Sequence, residues 1–339
     1  MVETPRSLGF RMPAEWEPHE ATFLSWPHNR EDWPGKFAPI AWVYCEVVRR
    51  LARVERVRIL VQDEDLEQDA RRKLTKAGAD LNAVQFIRCP TDRVWTRDYC
   101  PLFLKSAGGE VAITDWRFNG WAKYDDWKRD DAVPAALAKR LKMRRWRPEL
   151  VLEGGSVDVN GAGLLLTTEE CLLSPVQARN PGLSREQIER ALRDYLGVET
   201  ILWLRRGIAG DDTHGHIDDL ARFVKPDTVV LAAEPDPSDP NHEPLRENRK
   251  LLRRYPVRVV ELPMPAPLFF NGQRLPASYA NFFIANRLVL VPTFNDPADR
   301  VALAVLARLF PDREVVGIHS VDLVWGLGTL HCMTQQQPK

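Results

Sequence analysis

A single α/β fold built of repeated units and closed on itself is what this sequence predicts, on three observations. Amphipathic helices recur at a near-constant interval. Each follows a pair of short apolar segments joined by a turn, and the segments at the two chain ends are of a kind that can pair. The 339 residues, 44% of them hydrophobic, suffice for a core of that size.

The helical stretches run over 64–77, 131–143, 184–196, 243–254 and 298–310. Their apolar residues fall three and four apart, as with Ile188, Leu192 and Leu196, which lines them up on one face. Ser184, with Gln187 three positions on, reads as a capping box, and Gly197 as the stop. The starts lie roughly 55 to 65 residues apart, an interval of the kind structural repeats have.

The strand pairs between them share one plan. DYCPLFLKSAGGEVAITDW (98–116), SVDVNGAGLLLTT (156–168), HIDDLARFVKPDTVVLAA (216–233) and YANFFIANRLVLVPT (279–293) each begin with a polar or small residue. Each then turns at Gly, Asn, Asp or Pro and returns as an apolar strand. ATFLSWP (21–27) and GTLHCMTQQ (328–336) are the end segments that close the ring. The expectation is one domain over 1–339; the alternative is an open α/β sheet in two domains. PDPSDPNHEP (235–244) reads as a proline-rich surface loop.

Charge and composition exclude several functions. The 47 basic and 47 acidic residues cancel, so no net field favours nucleic acid or an anionic membrane. No apolar run approaches membrane-spanning length, and MVETPRSL lacks a signal pattern. Five cysteines without regular spacing argue against a disulfide framework, so a cytoplasmic protein is expected.

The repeats open with Asp98 in WTRDYCP, Glu153 in LEGGS, His216 and Asp218 in THGHIDD, Asn281 in YANFF and Cys332 in LGTLHCMTQQQ. In a radial repeat such positions face one axis, and a thiol, an imidazole, acids and an amide meeting there make a site composition. Most lone cysteines are small buried hydrophobes, and Cys45, on an apolar helix face, fits that reading. Cys332 departs from it, because it follows Gly326 and Gly328 and precedes Thr334 and three glutamines. His216 and Asp218, two apart, would share a strand face, as imidazole and orienting or substrate-gripping carboxylate. His214 adds a rival, since His214, His216 and Asp218 on one strand would resemble metal ligands, although no further ligands follow in pattern. Asp98 lies between Trp95 and Tyr99, a carboxylate in an aromatic wall rather than half of a surface pair with Arg97. Glu153 would be a costly buried charge unless paired.

Carboxylates around a thiol suit a planar cation. A guanidinium matches them edge-on in fork geometry, and its central carbon then faces the thiol. Cys332 would attack it, with His216 first protonating the departing ammonia and then activating water. Trp95 or Trp121 would cover the substrate's stem. The chemistry needs no cofactor and no metal.

MPAEWEPHEATFLSWPHN (12–29), VWTRDYCPLF (94–103), WRFNGWAKY (116–124), LEGGSVDVNGAG (152–163), DDTHGHIDDLARFV (211–224), YANFFIANRLVLVPTFNDPAD (279–299) and HCMTQQQP (331–338) closely resemble the agmatine deiminase family. That family includes the bacterial-type peptidylarginine deiminases, and the likeness runs nearly end to end. It implies a five-bladed α/β-propeller (pentein) and deimination of agmatine to N-carbamoylputrescine; arginine or peptidylarginine is the alternative substrate. It matches Cys332 to the nucleophile, His216 to the general acid/base, and Asp98 and Asp218 to the guanidinium-binding acids. Glu153 and Asn281 match other pocket positions. Two departures stand out. The glycine run before the cysteine, usually GGG, is GLG at 326–328, and a glutamate thought to meet the substrate's distal amine is Asp212. Arg97, Arg117 and Arg222 are the candidates for holding a peptide carboxylate. A homodimer stands as an open expectation.

Overall fold

The computed structural model describes residues 3–339. Among these the chain forms five mixed sheets of three or four strands, plus one small hairpin, Phe269–Phe270 with Gln273–Arg274. Three of the sheets repeat one order without variation. Asp158–Val159 pairs antiparallel with Leu164–Thr168, which pairs parallel with Thr200–Leu204 across the helix Arg185–Leu196. Ala221–Lys225, Thr228–Ala233 and Arg258–Pro263 do the same across His242–Leu252. So do Phe283–Ala285, Leu288–Thr293 and Glu314–His319 across Ala298–Leu309. A hairpin followed by a helical crossover to a parallel neighbour is thus the repeating unit.

A fourth sheet adds an edge strand to this plan: Phe10–Arg11, Leu102–Ser106, Val111–Thr114 and Arg145–Trp146, with the helix Lys128–Leu141 in its crossover. The fifth joins the chain ends. Gln335–Pro338 pairs antiparallel with His19–Ser25, which continues parallel to Arg56–Val61 and Val84–Arg88. The expected pairing of the end segments is therefore present.

The helices pack as their periodicity dictates. Ile188, Leu192 and Leu196 are fully buried beside Leu165, Ile201 and Trp203 of the adjacent sheet. Burial of such a side chain is worth about 1.5–3 kcal/mol. The Ser184–Gln187 capping box and the left-handed Gly197 stop are both present. One long helix, Phe37–Leu51, lies outside the five predicted stretches. Its apolar face was legible at Cys45, but its bounds were not, because Ile40, Tyr44, Val47 and Val48 are β-branched or aromatic residues of low helix propensity.

The sheets meet over a buried charge network centred on Glu15. Its Oε2 pairs with Arg222 Nη2 at 2.9 Å, Arg97 Nη2 at 3.3 Å and His331 Nε2 at 2.7 Å, and its Oε1 accepts from the Ile284 amide at 2.7 Å. Burial alone would raise the Glu15 pKa; Arg222, His331 and Arg97 outweigh it and hold the carboxyl well below its usual range. His331 Nδ1 in turn reaches Asp218 Oδ2 at 2.6 Å, while Arg222 also pairs with Asp158 at 3.2 Å. Glu15→Ala strands two buried arginines, so we expect a loss of about 3–5 kcal/mol in denaturant unfolding. A loss under about 1 kcal/mol would show that the network carries little of the fold.

Candidate active site

One cavity of about 260 Å³ opens over this network, and Cys332, Asp98, Trp95, Trp121 and Asp212 are on its wall. Cys332 lies in the tight segment before the last strand. Asn281 fixes it from two sides: the amide Nδ2 donates to Sγ at 3.2 Å, and Oδ1 accepts from Thr329 Oγ1 at 2.7 Å and from the His331 amide at 3.0 Å. Sγ is 3.8 Å from Asp218 Oδ2. Burial, then Asp218, Asp219 and Asp98, push the thiol pKa well above its ordinary value. Burial and these acids therefore favour the neutral thiol, and a cation beside it opposes the three acidic contributions.

Asp98 is presented by the one-turn helix Thr96–Tyr99. Its Oδ1 accepts from the Gly155 amide at 3.0 Å and its Oδ2 from Trp121 Nε1 at 2.9 Å. Trp121 is aimed there by an unusual turn, in which Gly120, Trp121 and Ala122 all have positive φ (64°, 57° and 54°). For the two non-glycine residues that conformation costs about 1–2 kcal/mol each. Burial raises the Asp98 pKa to about 6, with Asp218 and Glu153 adding to it and His216 and Trp121 opposing.

His216 is fully buried. Its Nδ1 lies 3.7 Å from Asp98 and 3.9 Å from Asp218; its Nε2 lies 3.5 Å from Glu153. Burial would lower its pKa, but Asp98, Cys171 and Glu153 prevail and raise it well above the ordinary value. Arg179 Nε holds Glu153 at 3.0 Å, and against its burial draws that carboxyl down to about 2. Gly155 makes the close approach feasible, since a Cβ there would sit 2.6 Å from His216 Nδ1 and 2.8 Å from Asp98 Oδ1.

Several expectations need correction. His216 and Asp218 occupy no strand: His216 caps the 3-10 turn Ile217–Asp219. His214, at φ 63°, is turned away to Ser174 Oγ at 3.1 Å, so the His214, His216 and Asp218 ligand face does not form. Glu153 stands behind His216 rather than on the cavity wall, and Asn281 holds the thiol rather than lining the pocket. Asp212 is on the wall, but Lys123 Nζ neutralises it and Tyr124 OH donates to it at 2.7 Å. Arg97 and Arg222 are buried in the Glu15 network and Arg117 pairs with Glu149, so none of the three faces the cavity.

Other site residues escaped sequence reasoning. His331 adjoins Cys332, a signal that was available. Asp219 directly follows Asp218 in the same motif and was equally visible; Glu15 and Arg179 gave none, being contributed by distant segments. Arg93 is on the wall as well, held by Asp32 at 2.6 Å and Asp126 at 2.7 Å.

A mixed α/β scaffold that sets a thiol and a carboxylate on a cavity wall, with a buried imidazole and a second carboxylate, His216 and Asp218, directly behind them, is the architecture of a deiminase, a hydrolase of C–N bonds. The Porphyromonas-type peptidyl-arginine deiminase family matches over residues 11–338, and the chain belongs to that family. Its relatives include the agmatine deiminase of Pseudomonas aeruginosa strain LESB58, 38% identical over 99% of this chain and 98% of the relative. The agmatine deiminase of Enterococcus faecalis superposes with TM-score 0.92 at 33% identity, covering 100% of this chain and 98% of that one. An agmatine deiminase of C. jejuni with substrate bound superposes with TM-score 0.89 at 31% identity, covering 97% and 96%.

Gly155→Ala should leave the fold standing and cut turnover at least a hundredfold, because the new methyl displaces His216 or Asp98; steady-state kinetics and a thermal melt check both halves. Near-normal turnover would mean that this packing is irrelevant to the chemistry.

Proposed function

We propose that the chain hydrolyses agmatine to N-carbamoylputrescine and ammonia through a covalent thiouronium on Cys332. The observation that carries the reading is the placement of charge. At the cavity the buried thiol meets Asp98, with Asp218 and Asp219 close behind, whereas Arg97, Arg179 and Arg222 lie away from its wall. Asp218 Oδ1 has no hydrogen-bond partner. A guanidinium supplies the planar positive charge this arrangement favours.

In the proposed reaction Asp98 and Asp218 bind the guanidinium by its edges, and the cation lowers the Cys332 pKa so that the thiol loses its proton to solvent while His216 keeps its own. The thiolate adds to the central carbon, forming a C–S bond and a tetrahedral adduct. A C–N bond then breaks, with His216 protonating the departing ammonia. Water, deprotonated by His216, adds to the thiouronium carbon; the C–S bond breaks, the thiolate leaves and the urea-type product is released. Glu153, itself held by Arg179, keeps the His216 ring in place.

The far end of the cavity supports an amine-terminated substrate over an α-carboxylate. Arg93, the arginine on its wall, is already paired with two aspartates, and the Asp212 pair with Lys123 brings no free positive charge. We further infer that the five sheets are the blades of one closed five-bladed propeller over 1–339, supported by the pairing of the two chain ends. No helix among the described residues is long and apolar enough to cross a membrane.

Ammonia release from agmatine, free arginine and a C-terminal arginyl peptide tests the assignment. Agmatine should be turned over with the highest kcat/KM, and no ammonia from it would overturn the reading. Cys332→Ala should abolish turnover, and His216→Asn should cost on the order of 10²–10⁴ in kcat. The pH dependence follows from Asp98: with its pKa at about 6, the acid is neutral below that value and ionised above it. The kcat/KM for agmatine should therefore fall as pH drops through about 6. A flat profile between pH 5 and about 7 would remove Asp98 from substrate binding.

A further inference from the structure

Leu327 is the one aliphatic side chain among the described residues of the cavity wall. It holds a backbone conformation that disfavours it, with φ 65° and ψ 18°, at the end of the turn Leu323–Gly326, where its amide donates to Val324 O at 2.9 Å. An L-residue pays for that left-handed geometry and glycine does not. The glycines on either side have a separate reason. A Cβ on Gly326 would lie 2.5 Å from Trp33 Nε1, and one on Gly328 would lie 2.8 Å from Trp95 Cζ3. At 327 the backbone would be served best by glycine, yet a half-buried leucine stands on the cavity wall, packed in part against the apolar cluster that contains Val324. Strain held at a ligand-facing position points to function.

The rest of the wall indicates which function. Asp98 and Cys332 address the guanidinium, and Glu31 with the ion pairs Asp32–Arg93 and Asp212–Lys123 makes the rest of the lining polar. The stem between the two ends of the substrate needs an apolar surface, which Trp95, Trp121 and Leu327 can provide. We propose that Leu327 is a specificity-determining residue that selects an unbranched guanidinoalkyl chain. Its side chain packs on the substrate's methylene groups and occupies the space that a substituent on that chain would need. The α-carboxylate of arginine and the flanking residues of an arginyl peptide are such substituents. This rests on the deiminase reading above and adds to it the residue that tells agmatine from arginine.

Two variants separate the two halves of the claim. Leu327→Gly removes both the contact and the obstruction, so the ratio of kcat/KM for agmatine to that for arginine should fall about tenfold or more. Most of the change should appear as a higher KM for agmatine. Leu327→Asn keeps a side chain of similar shape but makes it polar. Its KM for agmatine should rise several-fold while arginine stays excluded. Glycine and asparagine both tolerate positive φ, so neither variant should melt below the wild type by more than a few degrees. A folded Leu327→Gly enzyme whose agmatine-to-arginine ratio stays within twofold of wild type would overturn the inference and leave the deiminase reading intact. A wild-type enzyme that releases no ammonia from any guanidine would overturn both.

Discussion

Glu15 is a carboxylate with almost no access to water, and nearly every part of the molecule that matters to the site reaches it. Arg97 comes from the one-turn helix that carries Asp98, Arg222 from the strand after Asp218, Ile284 from the strand after Asn281, and His331 from the position before Cys332. Four candidate site residues are thus fixed by neighbours that share one buried anion. Such a network earns little net stability against well-packed apolar residues, but it is severely penalised when one member is missing. It therefore specifies the register of the sheets around the centre, and the positions of the site groups follow from that register.

The same network sorts charge by depth. The buried arginines satisfy Glu15, Asp158 and Glu153 from behind, leaving the side toward the cavity with acids and a thiol. Burial and those acids keep Cys332 protonated, while Asp98, Cys171 and Glu153 keep His216 charged. In the proposed reaction the substrate's own charge is what releases the thiolate. Reactivity toward other electrophiles stays low until a guanidinium is bound.

The repeat was legible because it is written in local signals. The Ser184 cap, the Gly197 stop and the spacing of Ile188, Leu192 and Leu196 each act within one or two helical turns. The residues grouped as strand openers, Asp98, His216, Asp218 and Cys332, do lie close together, with Asn281 against the thiol. What the sequence concealed was direction. Whether Glu153 faces the pocket or the back of His216 depends on Arg179, 26 positions away and without a pattern of its own. His214 looked equivalent to His216 until its left-handed backbone turned it outward. Asp212 kept its place on the wall, but its charge is taken by Lys123 from a different segment.

In the proposed reaction everything turns on a covalent bond between Cys332 and the guanidinium carbon of the substrate. The most direct measurement is acid quenching during steady-state turnover of agmatine, followed by intact-protein and peptide mass spectrometry. An adduct with the mass of the substrate less ammonia is expected, confined to the peptide containing Cys332 and absent from Cys332→Ala. An adduct on another cysteine, or full turnover by Cys332→Ala, would contradict it.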